Sequence, residues 1–385
     1  MLSHCPACGN AEADPVFRLD HVPVLCNQLW PTEKAARAAP LGDVDLRICS
    51  ACALIWNSEF DSAEMEYTVG YENALHFSQE FRDFANGLAK TLIDRNDLSG
   101  QNVVEVGAGD GYFLETLVAN GVKSATGYDP SLPPEKVVTT GDVRVVAEAF
   151  HPDQLSEPLS AIMCRHVLEH LTDPLGVLTE MRRALPDDFA SVYVEVPNAG
   201  WMLRSTSIWD IIYEHVTYWT APSMACVFDR AGLAVTGCDE LYNDQFLGVQ
   251  GRRSTAAQAK HIEAIDLIRR DAASFRDTAT ALVSDWRAFF ASMSGRAVIW
   301  GAGSKGTTLA NVIGGKDAGL VALVDQNPRK HGKYIPGAGL PVIAPDTLPD
   351  FKPDCVVISN GLYRNEIQTQ IKAMGIDAQV KVLAS

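Results

Sequence analysis

The sequence predicts an α/β protein built on two parallel sheets, and three observations support this class. Strand-like apolar runs alternate with helical stretches between about residues 100 and 255, and the same alternation restarts after residue 294. Each of these blocks opens with a strand that runs into a glycine-rich turn. Because strands separated by helices pair in parallel, we expect two helix-wrapped sheets, preceded by a small cysteine-bearing module.

The charge and the apolar runs of the sequence limit which partners the chain can bind. Against 48 acidic residues the chain carries 32 lysines and arginines, a net charge of −16 that repels phosphate backbones and anionic membranes. Apolar runs such as GLVALV are far shorter than the roughly 18 residues of a spanning helix, and MLSHCPACGN lacks a signal-peptide apolar region. We therefore expect a cytoplasmic protein that binds neither nucleic acid nor membrane, and whose cysteines are not disulfides.

Residues 1–85 are predicted to form a metal-stabilised module. Cys5 and Cys8 lie in CPAC, and Cys49 and Cys52 lie in CSAC. Two such pairs can close a tetrahedral four-thiolate site that leaves no position for water, which favours structural over catalytic zinc. The alternative is four buried thiols that bind no ion.

Residues 86–255 are predicted to form the core, with a nucleotide site at its first turn. Glu105 lies at the end of the strand that begins with NVV, and Gly107, Gly109 and Gly111 follow it before a helix. Alternate glycines let the backbone turn tightly and approach a ligand closely. Asp129 ends the next strand about twenty residues later, where a carboxylate can bind ribose hydroxyls. A dinucleotide and a sulfonium nucleotide both fit this pattern.

Two further elements complete the core and lead out of it. LAVTGCDE and QFLGVQGRR, separated by a polar turn at residues 242–244, predict an antiparallel hairpin. Residues 256–293 contain neither proline nor glycine and carry Ile262, Ile265, Leu267 and Ile268 at helical spacing. They predict a helical connector.

Residues 294–385 carry a second glycine turn. Gly301, Gly303 and Gly306 follow the strand AVIW, and Asp325 ends the next strand. Taken alone, this pattern is a dinucleotide fingerprint and would indicate an NAD-dependent enzyme. Lys305 lies at the start of the following helix, where it and the backbone amides could hold a diphosphate or another anion.

The first turn, read as ExGxGxG with RHVLEH further along, resembles the class I S-adenosylmethionine-dependent methyltransferases. The resemblance implies a Rossmann-like core in which the first acidic residue and the glycines hold the methionine part of the donor, and the second carboxylate holds its ribose. It assigns the cofactor site to Glu105, Gly107, Ala108, Gly109, Gly111, Asp129, Pro130, Ala149, Phe150, Arg165 and His166, with Ala149 and Phe150 flanking adenine.

The order of the parts is similar to a narrower family, the sugar C-methyltransferases of deoxysugar biosynthesis. GAGSKGTTLAN and VDQNPRKHGKYIPGAGLPV match that family's C-terminal motifs GAxxKGxTLLN and VDxNPxKxGxxxPG, and the likeness covers nearly the whole chain. It implies methylation of a carbon beside a keto group on a nucleotide-linked sugar, with the Rossmann-like C-terminal domain closing over the acceptor and Lys305 placed to meet its phosphate.

The same resemblance points to a catalytic segment. An imidazole can remove a proton from a carbon beside a ketone while a neighbouring carboxylate or phenol orients it or stabilises the anion. We expect His215 to be this base, supported by Glu214 and by Tyr213 or Tyr218, with Tyr67 or Tyr71 reaching the acceptor. The family motif YHEH is IYEH in this chain, so Ile212 stands where the family has a tyrosine.

That departure keeps other functions open. The runner-up is an O- or N-methyltransferase acting on another small metabolite. From different classes, the C-terminal fingerprint would suit an NAD-dependent sugar oxidoreductase, and a non-catalytic zinc-bearing adaptor could retain the nucleotide fold. The adaptor is disfavoured because both acidic cofactor positions and the His215 segment are present.

Overall fold

A computed structural model of the chain describes residues 2–65, 75–132, 139–254, 256 and 262–383. Strands in these ranges form three sheets, of four, eight and five strands. The two larger sheets contain parallel strands flanked by helices, which confirms the predicted α/β class. None of the helices in these ranges combines the length and apolarity needed to cross a membrane.

The N-terminal region is an antiparallel sheet with a metal-binding pattern at one end. Its elements are β1 (Ala13–Pro23), α1 (Glu33–Arg37), β2 (Leu41–Cys49) and β3 (Ile55–Asn57). Alternate residues of β2, including Val44, Leu46 and Ile48, are buried. The inward residues of β1 and β2 belong to an apolar cluster that extends into the C-terminal region of the chain.

The central sheet is a mixed sheet with parallel strands at its centre. Its region contains α2 (Gln79–Arg95), β4 (Asn102–Val106), α3 (Tyr112–Ala119), β5 (Ser124–Tyr128), β6 (Thr139–Thr140), β7 (Val143–Val146), β8 (Ala161–Arg165), α4 (Pro174–Ala184), β9 (Ser191–Pro197), α5 (Ala199–Arg204), β10 (Thr217–Tyr218), α6 (Ala221–Arg230), β11 (Leu233–Leu241) and β12 (Phe246–Arg253). The strand order is β11-β12-β9-β8-β4-β5-β7-β6. Strands β5 and β8 lie on opposite sides of β4, and both pair with it in parallel. The strand order therefore reverses at β4, and ligands bind at such switch points in open α/β sheets.

The predicted hairpin is confirmed. β11 and β12 pair in antiparallel register, and Tyr242, Asn243 and Asp244 between them all adopt positive φ angles, from 52° to 64°. Strand β10 belongs to the central region in sequence but not to the central sheet. It pairs with β3 of the N-terminal sheet. The segment just before β10, which contains His215, is therefore held between the two sheets.

The third sheet is entirely parallel, in the order β15-β14-β13-β16-β17. It follows the long helix α7 (Ile262–Ser292) and contains β13 (Ala297–Trp300), α8 (Ser304–Val312), β14 (Leu320–Val324), β15 (Val342–Ile343), α9 (Leu348–Phe351), β16 (Cys355–Ile358), α10 (Arg364–Ala373) and β17 (Gln379–Val382).

Helix α7 is more than a connector. Phe275 packs edge-on against Phe17 of β1, and Trp286 packs edge-on against Trp209. Ile268 is buried, whereas Ile262 and Leu267, which the sequence pattern grouped with it, are more than half exposed. The helix therefore joins the N-terminal and C-terminal sheets through one continuous apolar cluster.

Candidate active site

The glycine turn after β4 has the shape expected of a ligand-binding loop. Gly107 and Gly109 have φ angles of 73° and 54°, in the left-handed region that favours glycine. A Cβ atom at Gly107 would lie 2.1 Å from the Cγ2 atom of Val167, whereas one at Gly109 would meet nothing within 4 Å. The turn is therefore packed against protein on one side and open on the other.

Two carboxylates stand at this turn, as predicted. Glu105 is buried, its Oε2 atom meets no hydrogen-bond partner in the described segments, and burial raises the pKa of the carboxyl group to about 7. Asp129, at the end of the neighbouring parallel strand, accepts hydrogen bonds from the N–H of Gly109 (2.8 Å) and from the N–H and hydroxyl of Ser131. An unpartnered buried carboxylate oxygen fits a cationic ligand group.

The remaining residues assigned to the cofactor site differ in how far they are exposed to solvent. Phe150 is buried and packs edge-on against Tyr128, with ring centroids 5.4 Å apart. Strand β7 ends at Val146, so Ala149 and Phe150 lie in the loop beyond it. Ala149 and Pro130 are exposed, and Ala108 is half-buried.

Arg165 and His166 belong to a buried charged network that includes Glu195, a residue the sequence analysis missed. Arg165 Nη2 lies 2.7 Å and His166 Nε2 lies 3.0 Å from Glu195 Oε1, while the Tyr193 hydroxyl donates to Oε2 (2.8 Å). Burial opposes ionisation, but Arg165 and His166 outweigh it and lower the pKa of Glu195 to about 2. The signal available beforehand was the glutamate inside the apolar strand SVYVEV.

His166 is held in its charged form by this network. Burial favours the neutral imidazole, but Glu169 and Glu195 outweigh it and raise the pKa of His166 to about 9. Its backbone φ is 54°, which is uncommon outside glycine. Because Glu169 and Glu195 raise its pKa, His166 is a cation. It follows the carboxyl end of β8, and its side chain lines the cavity between the three sheets.

A cavity of about 410 Å³ lies where the three sheets meet. Asn27 from the N-terminal region, His215 and Tyr218 from the segment around β10, and Asn327 from the C-terminal region all line it. Its apolar wall is largely aromatic and includes Phe77, Phe81, Trp201, Tyr242, Phe246 and Tyr363. Such a pocket suits a small polar molecule with flat or apolar parts.

His215 is half-buried at the wall of this cavity. Its Nδ1 atom is buried and has no hydrogen-bond partner among the described residues, and its ring packs edge-on against His170 and Tyr218, with centroids 4.9 and 5.6 Å away. Burial, assisted by His170, lowers the pKa of His215 to about 3. The imidazole is therefore neutral at physiological pH and retains a nitrogen lone pair.

The structure separates the three residues predicted to assist His215. Tyr218 lines the cavity, and its hydroxyl donates to the carbonyl oxygen of Ile212 (2.8 Å) and accepts from the N–H of the same residue (3.0 Å). Tyr213 points into the N-terminal sheet, where its hydroxyl accepts from the N–H of Asp61 (3.0 Å). Glu214 is buried and accepts from the N–H of Asn27 (3.4 Å). Tyr218 is thus the only one of the three to reach the cavity lining. Tyr67 and Tyr71 lie outside the described residues.

In the second glycine turn, as in the first, a carboxylate after the neighbouring strand accepts a hydrogen bond from a backbone N–H of the turn. Asp325 Oδ2 accepts from the N–H of Ala302 (2.9 Å), as Asp129 does from Gly109. Lys330 Nζ also lies 3.2 Å from Asp325 Oδ2, so this carboxylate already holds a cation. Lys305, predicted to meet a phosphate, lines the cavity but is paired with both carboxylate oxygens of Asp210.

The four cysteines of the two CxxC pairs come together. Their Sγ atoms all lie within 4.8 Å of one another, with Cys5 and Cys52 3.6 Å apart and Cys8 and Cys49 3.5 Å apart. A tetrahedron of thiolates about 2.3 Å from zinc has sulfur–sulfur edges of about 3.8 Å. The arrangement therefore fits a closed four-thiolate metal site.

Comparison with known families gives two matches that together cover most of the chain. Residues 76–237 match a methyltransferase domain, and residues 254–382 match a C-methyltransferase C-terminal domain. The chain is 22% identical over 398 aligned residues to the C-methyltransferase NovU of Streptomyces niveus, covering 95% of this chain and 91% of that protein.

More distant similarities are partial. A tRNA U34 carboxymethyltransferase of Dichelobacter nodosus is 34% identical over 103 residues, 24% of this chain and 32% of that protein. The structure of magnesium protoporphyrin IX methyltransferase from Synechocystis PCC 6803 with bound S-adenosylhomocysteine aligns with a TM-score of 0.37 at 13% identity, over 49% of this chain and 91% of that one.

Proposed function

Because the chain belongs to the class I S-adenosylmethionine-dependent C-methyltransferases, we propose that it methylates a carbon beside a keto group of a nucleotide-linked deoxysugar. The observation that carries the proposal is the neutral, half-buried His215 at the wall of the inter-sheet cavity, whose buried Nδ1 atom has no hydrogen-bond partner in the described ranges. A base of this kind is what removal of a proton from carbon requires.

The donor is proposed to bind at the first glycine turn. When bound, S-adenosylmethionine supplies a methyl group made electrophilic by its sulfonium sulfur. Gly109 would admit the ligand on its open side, Glu105 would hold the cationic amino acid part and Asp129 the ribose. We assign Arg165 and His166 to the side of the donor that would meet the acceptor, and Phe150 to the side that would hold adenine.

The proposed chemistry balances with His215 as base. A nitrogen lone pair of His215 takes the proton from the carbon beside the ketone, and the C–H electron pair delocalises onto the keto oxygen. Attack of that carbon on the methyl carbon would break the C–S bond, whose electron pair would stay on sulfur. The cationic His166 lines the same cavity and is placed to stabilise the oxyanion.

The remaining parts are given supporting roles. Residues 1–85 are proposed as a module that holds structural zinc on Cys5, Cys8, Cys49 and Cys52, and residues 86–255 as the donor-binding core. Residues 256–293 join the core to residues 294–385, which cover the acceptor. Support comes from the cavity, whose wall includes side chains after β13, β14 and β16.

The test uses S-adenosylmethionine labelled with ¹³C in its methyl group and a panel of nucleotide-linked keto-deoxysugars. NMR of the product should place the label on a ring carbon next to the keto carbon. Label on an oxygen or nitrogen would replace the proposal by the O- or N-methyltransferase alternative. That alternative is favoured by one observation: Ile212 lines the cavity where the family has a tyrosine, and Tyr213 points away.

A further inference from the structure

Three side chains that commonly bind first-row metals lie together on the wall of the cavity. They are Glu169 and His170, from the turn after β8, and His215, from the segment before β10. One potential ligand atom from each lies within 4.8 Å of those from the other two. The tertiary fold brings them together, since more than forty residues separate His170 from His215 in the chain.

Two members of this cluster have buried polar atoms that the protein leaves unsatisfied. Glu169 Oε2 and His215 Nδ1 are both buried, and within the part of the chain that the structure describes neither atom has a hydrogen-bond partner. Leaving such groups unpaired is costly, and charged groups cost most. A cation that bound both atoms would satisfy them together.

The third member shows the outer contact that a metal-binding histidine usually makes. His170 Nδ1 lies 3.0 Å from the backbone carbonyl oxygen of Glu214. In the tautomer that makes this hydrogen bond, Nδ1 carries the hydrogen and Nε2 carries the lone pair. A backbone carbonyl on one ring nitrogen commonly orients the other toward a metal.

We propose that Glu169, His170 and His215 bind one divalent first-row metal ion, with zinc, nickel and cobalt as the best matches. Two imidazoles and one carboxylate suit these ions and leave coordination positions that face the cavity. Tetrahedral ligand bonds of about 2.0–2.2 Å put ligand atoms about 3.4 Å apart, so binding would draw together any of these atoms that lie farther apart than that, up to their 4.8 Å limit. The site differs from the cysteine cluster, whose four sulfurs leave no open position.

The consequence for catalysis rests on the proposed role of His215. A neutral imidazole has one basic nitrogen, and a metal ion bound to it leaves the other nitrogen carrying hydrogen. The metal-bound imidazole therefore has no lone pair with which to remove a proton. Metal binding here is expected to inhibit methyl transfer.

The experiment starts from enzyme whose cysteine site is already filled with zinc. Calorimetric titration with Ni²⁺, checked by elemental analysis, should show one additional equivalent bound. Co²⁺ at the same site should give absorption bands without sulfur-to-cobalt charge transfer. Glu169→Gln, His170→Gln and His215→Asn should each weaken Ni²⁺ binding by at least about 10–100-fold, the loss that removal of a mere outer contact to a ligand causes. The matched control is His21→Asn, which removes an exposed imidazole 3.9 Å from a carboxylate oxygen of Asp43.

No uptake beyond the cysteine site, or wild-type Ni²⁺ affinity in all three variants, would overturn the proposal. Should a variant fail to fold, protection of His170 and His215 from diethyl pyrocarbonate by Ni²⁺ in the wild-type enzyme gives the same information, and equal modification with and without Ni²⁺ counts against the site. Binding with undiminished turnover would support the metal site while removing His215 from proton transfer, so the two proposals fail separately.

Discussion

The carboxylate of Asp129 accepts a hydrogen bond from the backbone N–H of Gly109 at 2.8 Å. This bond joins the end of β5 to the glycine turn after β4 and fixes the open face of the turn. The predicted donor site depends on that geometry, and substitutions in the turn test it directly.

Gly107→Ala should abolish most donor binding. The new methyl group would lie 2.1 Å from Val167 Cγ2 in a backbone with φ of 73°, so the turn must shift. We expect at least a tenfold loss of S-adenosylhomocysteine affinity by calorimetry. Gly100→Ala is the control, because Gly100 has a φ of 70° and no atom within 4 Å of the added Cβ. Equal affinities in the two variants would contradict the assignment.

Donor binding should weaken as the pH falls below about 7. Burial raises the pKa of Glu105 to about 7, so its carboxylate form, which attracts the donor's ammonium group, disappears below that value. The affinity for S-adenosylhomocysteine should fall by up to about tenfold per pH unit below 7 and level off above it. Glu105→Gln should bind more weakly and lose this dependence. A pH profile identical to that of the wild type would show that another group is responsible.

His215→Asn should lose turnover but keep the donor. General bases contribute about 10²–10⁴-fold to rate, so kcat should fall by about that factor. The dissociation constant for S-adenosylhomocysteine should stay within about twofold of the wild-type value, since His215 lies at the acceptor cavity. Turnover within about threefold of wild type would assign His215 a structural role.

Cys49→Ser should release the bound metal and destabilise the enzyme. Cys49 is fully buried within the four-sulfur cluster, and structural zinc contributes about 10–16 kcal/mol of binding free energy in small zinc peptides. After a weak chelator has removed any metal from Glu169, His170 and His215, elemental analysis should show less than half an equivalent of zinc, with a lower unfolding temperature. The exposed Cys238, changed to Ser, is the control and should retain one equivalent. Full zinc content in both variants would count against the site.

Asp210 and Lys305 should be energetically coupled. Lys305 Nζ contacts both oxygens of Asp210, and both side chains are mostly shielded from solvent. A double-mutant cycle with Asp210→Asn and Lys305→Met should give a coupling of about 1–3 kcal/mol in unfolding free energy. A coupling near zero, together with a raised KM for a nucleotide-linked sugar in Lys305→Met, would mean that Lys305 meets the acceptor's phosphate instead.

The local features of the site were predictable from sequence. A strand, a glycine turn and a carboxylate at the end of the next strand follow each other within about 25 residues, so Glu105, Gly109 and Asp129 are placed by neighbouring elements. Within each CxxC pair the two cysteines are close in sequence. The pairing of β1 with β2 is then enough to bring the two pairs together.

The rest depends on tertiary contacts that no short pattern encodes. Strand β10 is only two residues long and pairs with β3. The ring of Tyr213, which precedes β10, packs against Gly42 of the N-terminal sheet, whereas Tyr218 reaches the cavity. Lys305 was expected to meet a phosphate, but its partner Asp210 lies 95 residues earlier in the chain. The Glu195 network likewise requires the pairing of β8 with β9.

A crystal structure of the enzyme with S-adenosylhomocysteine tests the central claim most directly, because the chain offers two glycine turns. The account predicts ligand density along residues 107–111, with the amino group at Glu105 and the ribose at Asp129. Density at residues 301–306 instead, or an empty first turn at saturating ligand, would contradict it.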